Sequence, residues 1–250
     1  MTWDPTRKVL WLFGGAGDGF QPFDDLWCFD PKDKKWTAIA PAGAKPGARF
    51  DPAFHYDAKH DRLVLAGGCK KFFEAANAWE DVWLFDCAKR EWTSRKTPAA
   101  AAGEAASALD ADHGLLVIHG GFDGNSTVRG ETLLYDLEGD KWSEPAAKGA
   151  GDSPKSTDAH AAAWDPLAGQ MLVYGGATPA AKGREELWAF NPTSKLWRKL
   201  GAGTPGPGPR AYHSAVFAPA MKSLYVFGGT KNQFNDPVLS PEVWGVRLHK

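Results

Sequence analysis

The sequence predicts an all-β fold assembled from five similar sheet modules, and three observations predict it. A glycine doublet recurs at Gly14-Gly15, Gly67-Gly68, Gly120-Gly121, Gly175-Gly176 and Gly228-Gly229, in steps of 53, 53, 55 and 53 residues. Each doublet closes a short apolar run rich in β-formers: VLWLF, RLVLA, LLVIH, MLVY and SLYVF. Composition agrees, because 28 Gly, 18 Pro and 12 Trp among 250 residues disfavour long helices and suit short strands joined by tight turns.

The elements of each unit follow in order. A first strand is expected in PAFHYD, ASALDAD, HAAAWDP and HSAVFAP, with only TWDP left of it in the opening copy. The run before the glycines is the second strand. The third comes in DLWCFD, DVWLFD, ETLLYD, ELWAFN and EVWGVR, which place an aromatic at Phe29, Phe85, Tyr135 and Phe190, with Val246 in the last copy. Trp36, Trp92, Trp142 and Trp197 stand seven residues further on and mark a fourth strand. In the last copy the same spacing runs past Lys250.

Four antiparallel strands in about 50 residues cannot cover both faces of their own sheet, so neighbouring sheets must stack. Twisted four-stranded sheets repeated around an axis make a β-propeller. The expected organisation is one domain, 1–250, with repeats near 1–40, 41–96, 97–146, 147–201 and 202–250. Gly after the second strand permits positive φ and close backbone approach, while rings of the third and fourth strands fill the space between blades.

A glycine doublet, then an aromatic, then six residues, then Trp resembles the kelch repeat, and in-phase copies cover nearly the whole chain. The resemblance implies a kelch-type propeller of four-stranded blades. It also implies an interaction platform, since kelch propellers mostly bind other proteins and a minority are enzymes. Such propellers usually hold six or seven blades and close by mixing strands from both ends. With five repeats, closure here is expected to be irregular or incomplete, and an unclosed ring would offer free edges to another chain.

Antiparallel order puts the first-to-second and third-to-fourth turns on one face and the longer connections on the other. The first set, such as DAKHDR, DPLAGQ and DPKDKK, reads as tight connectors. The second set includes CKKFFEAANAWED, TKNQFNDPVLSPE and GAGTPGPGPRAYH, long and divergent segments of the kind that carry binding. Within it Lys70, Lys71, Phe72, Phe73 and Trp79, with Lys231 and Phe234, combine cations and rings into a candidate partner-binding rim. The alternative is that the rings pin long loops onto the blades. Arg49 and Arg210 occupy equivalent positions before the first strand. The resemblance implies that such an Arg can reach ligand at the central opening, whereas its five donors also suit strand-end carbonyls of the neighbouring blade. Asp25, Asp81, Glu131, Glu186 and Glu242 recur at the start of every third strand, which points to local turn capping.

Charge and chemistry narrow the function. Lys plus Arg total 29 against 30 acidic residues, so no overall field draws the chain to nucleic acid. No run of 18 apolar residues occurs, and membrane insertion is not expected. Three cysteines without a CxxC pair suggest thiols in a reducing compartment, hence an intracellular, by default cytoplasmic, protein. The seven histidines show no HxH or HxxxH spacing, and no GxSxG or P-loop occurs. Neither catalytic residues nor a metal or cofactor are expected. The reading is a non-enzymatic scaffold or complex subunit that binds a protein or peptide through its long-loop face or an open blade edge. The alternative is a propeller enzyme, or a binder of sugars or other small molecules, with His119, His213 and Arg210 lining the central channel.

Overall fold

Pentapeptides with apolar residues on both faces, bounded by Asp and Gly, become strands that need a covering on each side. The computed structural model describes residues 1–71, 78–95, 103–122, 127–144, 153–155, 157–177, 183–201, 206–231 and 239–250. The first blade is β1 (Thr2–Asp4), β2 (Val9–Phe13), β3 (Leu26–Asp30) and β4 (Lys35–Ile39). The second is β5 (Ala53–Asp57), β6 (Arg62–Ala66), β7 (Val82–Asp86) and β8 (Glu91–Ser94). The third is β9 (Ala106–Asp110), β10 (Leu115–His119), β11 (Thr132–Asp136) and β12 (Lys141–Ser143). The fourth is β13 (Ala161–Asp165), β14 (Gln170–Tyr174), β15 (Leu187–Asn191) and β16 (Leu196–Leu200). The fifth holds β17 (Ser214–Ala218), β18 (Ser223–Phe227) and β19 (Val243–Arg247), three strands rather than four. Every pairing within a blade is antiparallel between consecutive strands, and the only helical elements among the described residues are two 3-10 turns, Asp18–Phe20 and Pro219–Met221. The molecule is a five-bladed propeller whose closure is not complete.

The core lies between blades rather than within them. Val9, Trp11 and Phe13 of the first blade pack on Phe54, Tyr56, Phe85 and Trp92 of the second. Val64, Ala66 and Leu84 of the second then meet Leu109, Leu116 and Tyr135 of the third. The pattern repeats from third to fourth and from fourth to fifth. Inside each of four blades the third-strand ring lies beside the fourth-strand Trp, with centroids 4.9 Å apart for Phe29–Trp36, 5.0 Å for Phe85–Trp92, 4.8 Å for Tyr135–Trp142 and 5.1 Å for Phe190–Trp197. These pairs are cross-strand neighbours in register, which fixes the seven-residue spacing.

Both glycines of each doublet have positive φ, as at Gly14 (62°) and Gly15 (105°). A Cβ on Gly14 would lie 2.4 Å from the Arg49 carbonyl oxygen of the next blade, and one on Gly175 would lie 2.6 Å from that of Arg210. The amide N–H of Gly15 donates to the Arg49 carbonyl at 2.9 Å, and Gly176 donates to Arg210 at 2.8 Å. The doublet is therefore a backbone latch between blades.

The expectation that every fourth-strand Trp fills a blade interface fails at Trp36, which is 43% exposed, whereas Trp92 is 6% exposed. The side of the first blade that carries Trp36 has no preceding blade on it among the described residues. Replacing Trp92 with Ala is expected to cost about 3–5 kcal/mol. Trp36→Ala should cost well under half of that, as read from denaturant melts of the two variants.

Candidate functional site

The two faces of the propeller differ in what their connections do. On the tight-turn face, the Asp that ends the first strand turns its carboxylate back onto the hairpin. Asp4 accepts from the amides of Thr6 and Arg7, Asp57 from Lys59 and His60, Asp110 from His113 and Asp165 from Leu167. Asp30, Asp86, Asp136 and Asn191 do the same for the second hairpin. Asx capping sets these turns, and their polar groups are used locally. Ion pairs then tie hairpin to hairpin: Arg7 grips Asp61 of the next blade through two 2.6 Å bonds, and Arg62 reaches Glu138.

The long-loop face is built differently in each blade. Trp79 is half-buried, donates its indole N–H to the Ala48 carbonyl at 3.0 Å and packs where a Cβ on Gly47 would stand. The Arg49 guanidinium and the Lys70 ammonium each lie 4.7 Å from its ring. Trp79 thus pins its loop to the segment leading into β5, with Lys70 held over it. Lys71 and Lys231 are exposed on the same face. Phe72, Phe73 and Phe234 lie outside the described residues.

Arg49 and Arg210 are fully buried. Arg49 donates to the Gly67 carbonyl at 2.9 Å and clasps both carboxylate oxygens of Asp81 at 2.5 and 2.9 Å. Arg210 repeats this on the Gly228 carbonyl at 2.8 Å and on Glu242 at 3.0 Å. The carbonyls belong to the arginine's own blade, not to the neighbouring one, because the acid at the start of the third strand draws the side chain back along its own sheet. Turn capping is accordingly not the role of Asp81 and Glu242, which are counter-ions. Hydrogen bonds from Ser240 and Arg210 draw the Glu242 carboxyl down to about 2. Asp25 instead accepts from the Trp27 indole, and Glu186 pairs with Lys199 at 3.2 Å. The sequence carried a signal for these struts, since each Arg precedes its acid by 32 residues.

At the centre of the long-loop face, one residue two positions before the first strand comes forward from each of four blades: Asp51, Glu104, Ala159 and Tyr212. All four are left-handed, with φ of 49°, 52°, 52° and 55°. Backbone bonds hold that conformation from blade to blade, from the Ala159 amide to the Glu104 carbonyl at 3.1 Å and from the Tyr212 amide to the Ala159 carbonyl at 2.9 Å. They surround a recess of about 350 Å³ at the channel mouth. Burial, with the charges of Asp51 and Asp158 nearby, pushes the Glu104 carboxyl up to about 7, against a hydrogen bond from Tyr212. Burial also raises Asp158 to about 6. The mouth is thus rich in carboxyl groups and suits hydrogen-bond donors. Nothing in the residue types Asp, Glu, Ala and Tyr marks these positions as equivalent, and only the repeat register finds them.

Below the mouth a channel of about 690 Å³ is lined by the inner strands, including Trp3, Phe54, His55, Ala108, Trp164 and Val216. His119, His213 and Arg210 do not meet there. His119 is buried inside the third blade, beside Thr132 and Trp197. His160 donates across to the His119 carbonyl at 2.9 Å, and the His213 ring abuts Gly175 of the preceding blade. Burial pulls these imidazoles down, to about 3 for His119 and about 4 for His160 and His213. They are neutral groups packed between blades, and His160 and His213 also line the recess at the mouth.

Residues 10–240 match the family described as Attractin/LZTR1 beta-propeller. Multiple epidermal growth factor-like domains protein 8 of Mus musculus is 25% identical over 253 residues, covering 94% of this chain and 9% of its own length. Host cell factor homolog hcf-1 of Caenorhabditis elegans is 32% identical over 127 residues, 49% of this chain and 16% of its own. The dynein alpha chain of the flagellar outer arm of Chlamydomonas reinhardtii is 32% identical over 155 residues, 58% of this chain and 3% of its own. The chain spans under a fifth of the length of each of these relatives. No described helix is long and apolar enough to cross a membrane.

The elevated Glu104 gives a pH signature. Its folded value lies above the unfolded one, so the folded state binds the extra proton and gains stability as pH falls from above 7 towards 4.5. Glu104→Gln, which is always neutral, should therefore melt higher than the native chain at pH 8, and the difference should close on acidification through that window. Scanning calorimetry of both proteins across pH measures it.

Proposed function

The chain belongs to the Attractin/LZTR1 β-propeller family, and on that premise we propose that it is a non-enzymatic interaction module that binds a protein or peptide partner on its long-loop face. One observation carries this reading. The tight-turn face repeats the same Asx-capped hairpins in the first four blades, whereas the opposite face sets a different segment from each of four blades around a recess that carries Asp51, Glu104 and Tyr212. A rigid scaffold with its variation confined to one face is how loops acquire partners without disturbing a core. The relatives add support, because each is a far larger protein in which a stretch like this chain occupies a small share.

The binding surface combines Lys70, Lys71 and Lys231 at its periphery with Trp79, and the sequence adds Phe72, Phe73 and Phe234 as candidates. A partner suited to it carries acidic or aromatic groups for the periphery and a donor, such as an amine or guanidinium, for the recess. Arg49 and Arg210 serve this surface from beneath, by holding the starts of β7 and β19. A place as one subunit of a larger assembly fits the same reading. So does an intracellular, cytoplasmic setting, since Cys28, Cys69 and Cys87 are free thiols. Net charge near zero favours neither nucleic acid nor an anionic membrane.

The test is affinity capture from the native source with two variants and the native chain. Replacing Lys71, Phe72 and Phe234 by Ala should abolish capture of the partner without shifting the melting curve. Replacing Lys59 and Lys89 by Ala, on the tight-turn face, should leave capture intact. Retention by the first variant, or loss by the second, contradicts the assignment of the face. Stoichiometric iron or copper in the purified protein would contradict the non-enzymatic reading.

A further inference from the structure

We propose that this chain associates with a second copy of itself head to tail, the fifth blade of one copy docking on the first blade of the next. The surface is the gap in the ring, and the inference is independent of the loop face.

Within the chain each blade presents two distinct faces. The forward face of the second blade buries Val64, Ala66, Val82 and Leu84 on the third. The backward face of the second blade buries Phe54, Tyr56, Leu63, Leu65, Phe85 and Trp92 on the first. Strand register carries these positions to the end blades. The forward positions of the fifth blade are Tyr225, Phe227, Val243 and Gly245, with Val216 on the adjoining inner strand. Val216, Phe227 and Val243 are 60%, 53% and 64% exposed, whereas Phe217, Leu224 and Val226 on the backward side are buried. The backward positions of the first blade are Trp3, Leu10, Leu12, Phe29 and Trp36. Trp3 and Trp36 are 46% and 43% exposed, whereas Val9, Trp11 and Phe13 on the forward side are buried.

The backbone reports the same missing neighbour. Gly14, Gly120 and Gly175 each have a carbonyl of the following blade within 2.6 Å of the position a Cβ would take. Their counterpart Gly228 has nothing within 4 Å among the described residues. Among the described residues, then, both halves of the interface used between the blades are present at the end blades without a neighbour on them. Several large apolar side chains exposed together on one sheet face mark an association site. Continuity with four internal interfaces makes a second copy the occupant that fits both faces at once. Because the two faces differ, the contact is heterologous: it closes into a ring if the rotation permits and otherwise propagates.

Sedimentation velocity across a wide concentration range tests this on the whole chain. The native protein should gain mass with concentration. A forward-face variant, Val216→Asp with Val243→Asp, and a backward-face variant, Trp3→Glu with Trp36→Glu, should each stay monomeric alone. Mixed in equal amounts they should form one-to-one dimers and nothing larger, because each retains one intact face. A native chain that is monomeric at every concentration, variants that still associate alone, or a mixture that stays monomeric overturns the proposal. If either double variant melts early, Val243→Lys and Trp36→Lys alone serve as the pair.

Discussion

Covering a sheet that is apolar on both sides is the constraint on which the rest of this molecule depends. No blade can satisfy it alone, so every blade presents one face to the blade before and one to the blade after. The glycine doublets follow from it, because the backbone of one blade must come within hydrogen-bonding distance of the next at Gly15–Arg49 and Gly176–Arg210. The paired rings follow as well, since Phe85 beside Trp92 or Phe190 beside Trp197 makes a surface broad enough to meet the facing strands. Where the series ends, the same residue types are left exposed, as at Trp36 and Phe227.

Polar chemistry is arranged around this packing. Asx-capped turns close one end of the first four blades, and buried arginines brace the other end of the second and fifth. Arg49, held by both carboxylate oxygens of Asp81 and a carbonyl, and Arg210, held by one oxygen of Glu242 and a carbonyl, are satisfied and rigid and so fix the starts of β7 and β19. Of the left-handed residues at the channel mouth, Glu104, Ala159 and Tyr212 are joined from blade to blade by backbone bonds, which do not depend on the side-chain type. With position set by the backbone, side chains as different as Asp51, Glu104 and Tyr212 share one recess.

Much of the architecture was legible in the sequence because its cause is periodic. Spacing between doublets, and between Phe29 and Trp36 or Tyr135 and Trp142, reflects strand length and register and survives without any knowledge of contacts. What the sequence hid depends on partners. Nothing local distinguishes Trp36 from Trp92, since the difference is whether another blade lies over the ring. Arg49 and Asp81 were each visible as recurring positions, yet their union requires knowing that β5 and β7 start at the same end of a sheet. The channel mouth was hidden more deeply, because φ rather than side-chain type makes its four residues equivalent. His119, polar on paper and a candidate for the channel, is a neutral wedge between blades once its burial is known, whereas His213 is wedged between blades with an edge on the mouth recess.

If stability resides in the contacts between blades, it must be uneven along the chain, lowest where a blade has one neighbour and highest where it has two. Native-state hydrogen exchange at low protein concentration measures this directly. The amides of β6, β10 and β14 should exchange slowest, and those of β2 and β18, equally central in their own sheets, should open at distinctly lower free energy. Equal protection of β2, β10 and β18 would mean that each blade is stable by its own sheet, and would contradict the account.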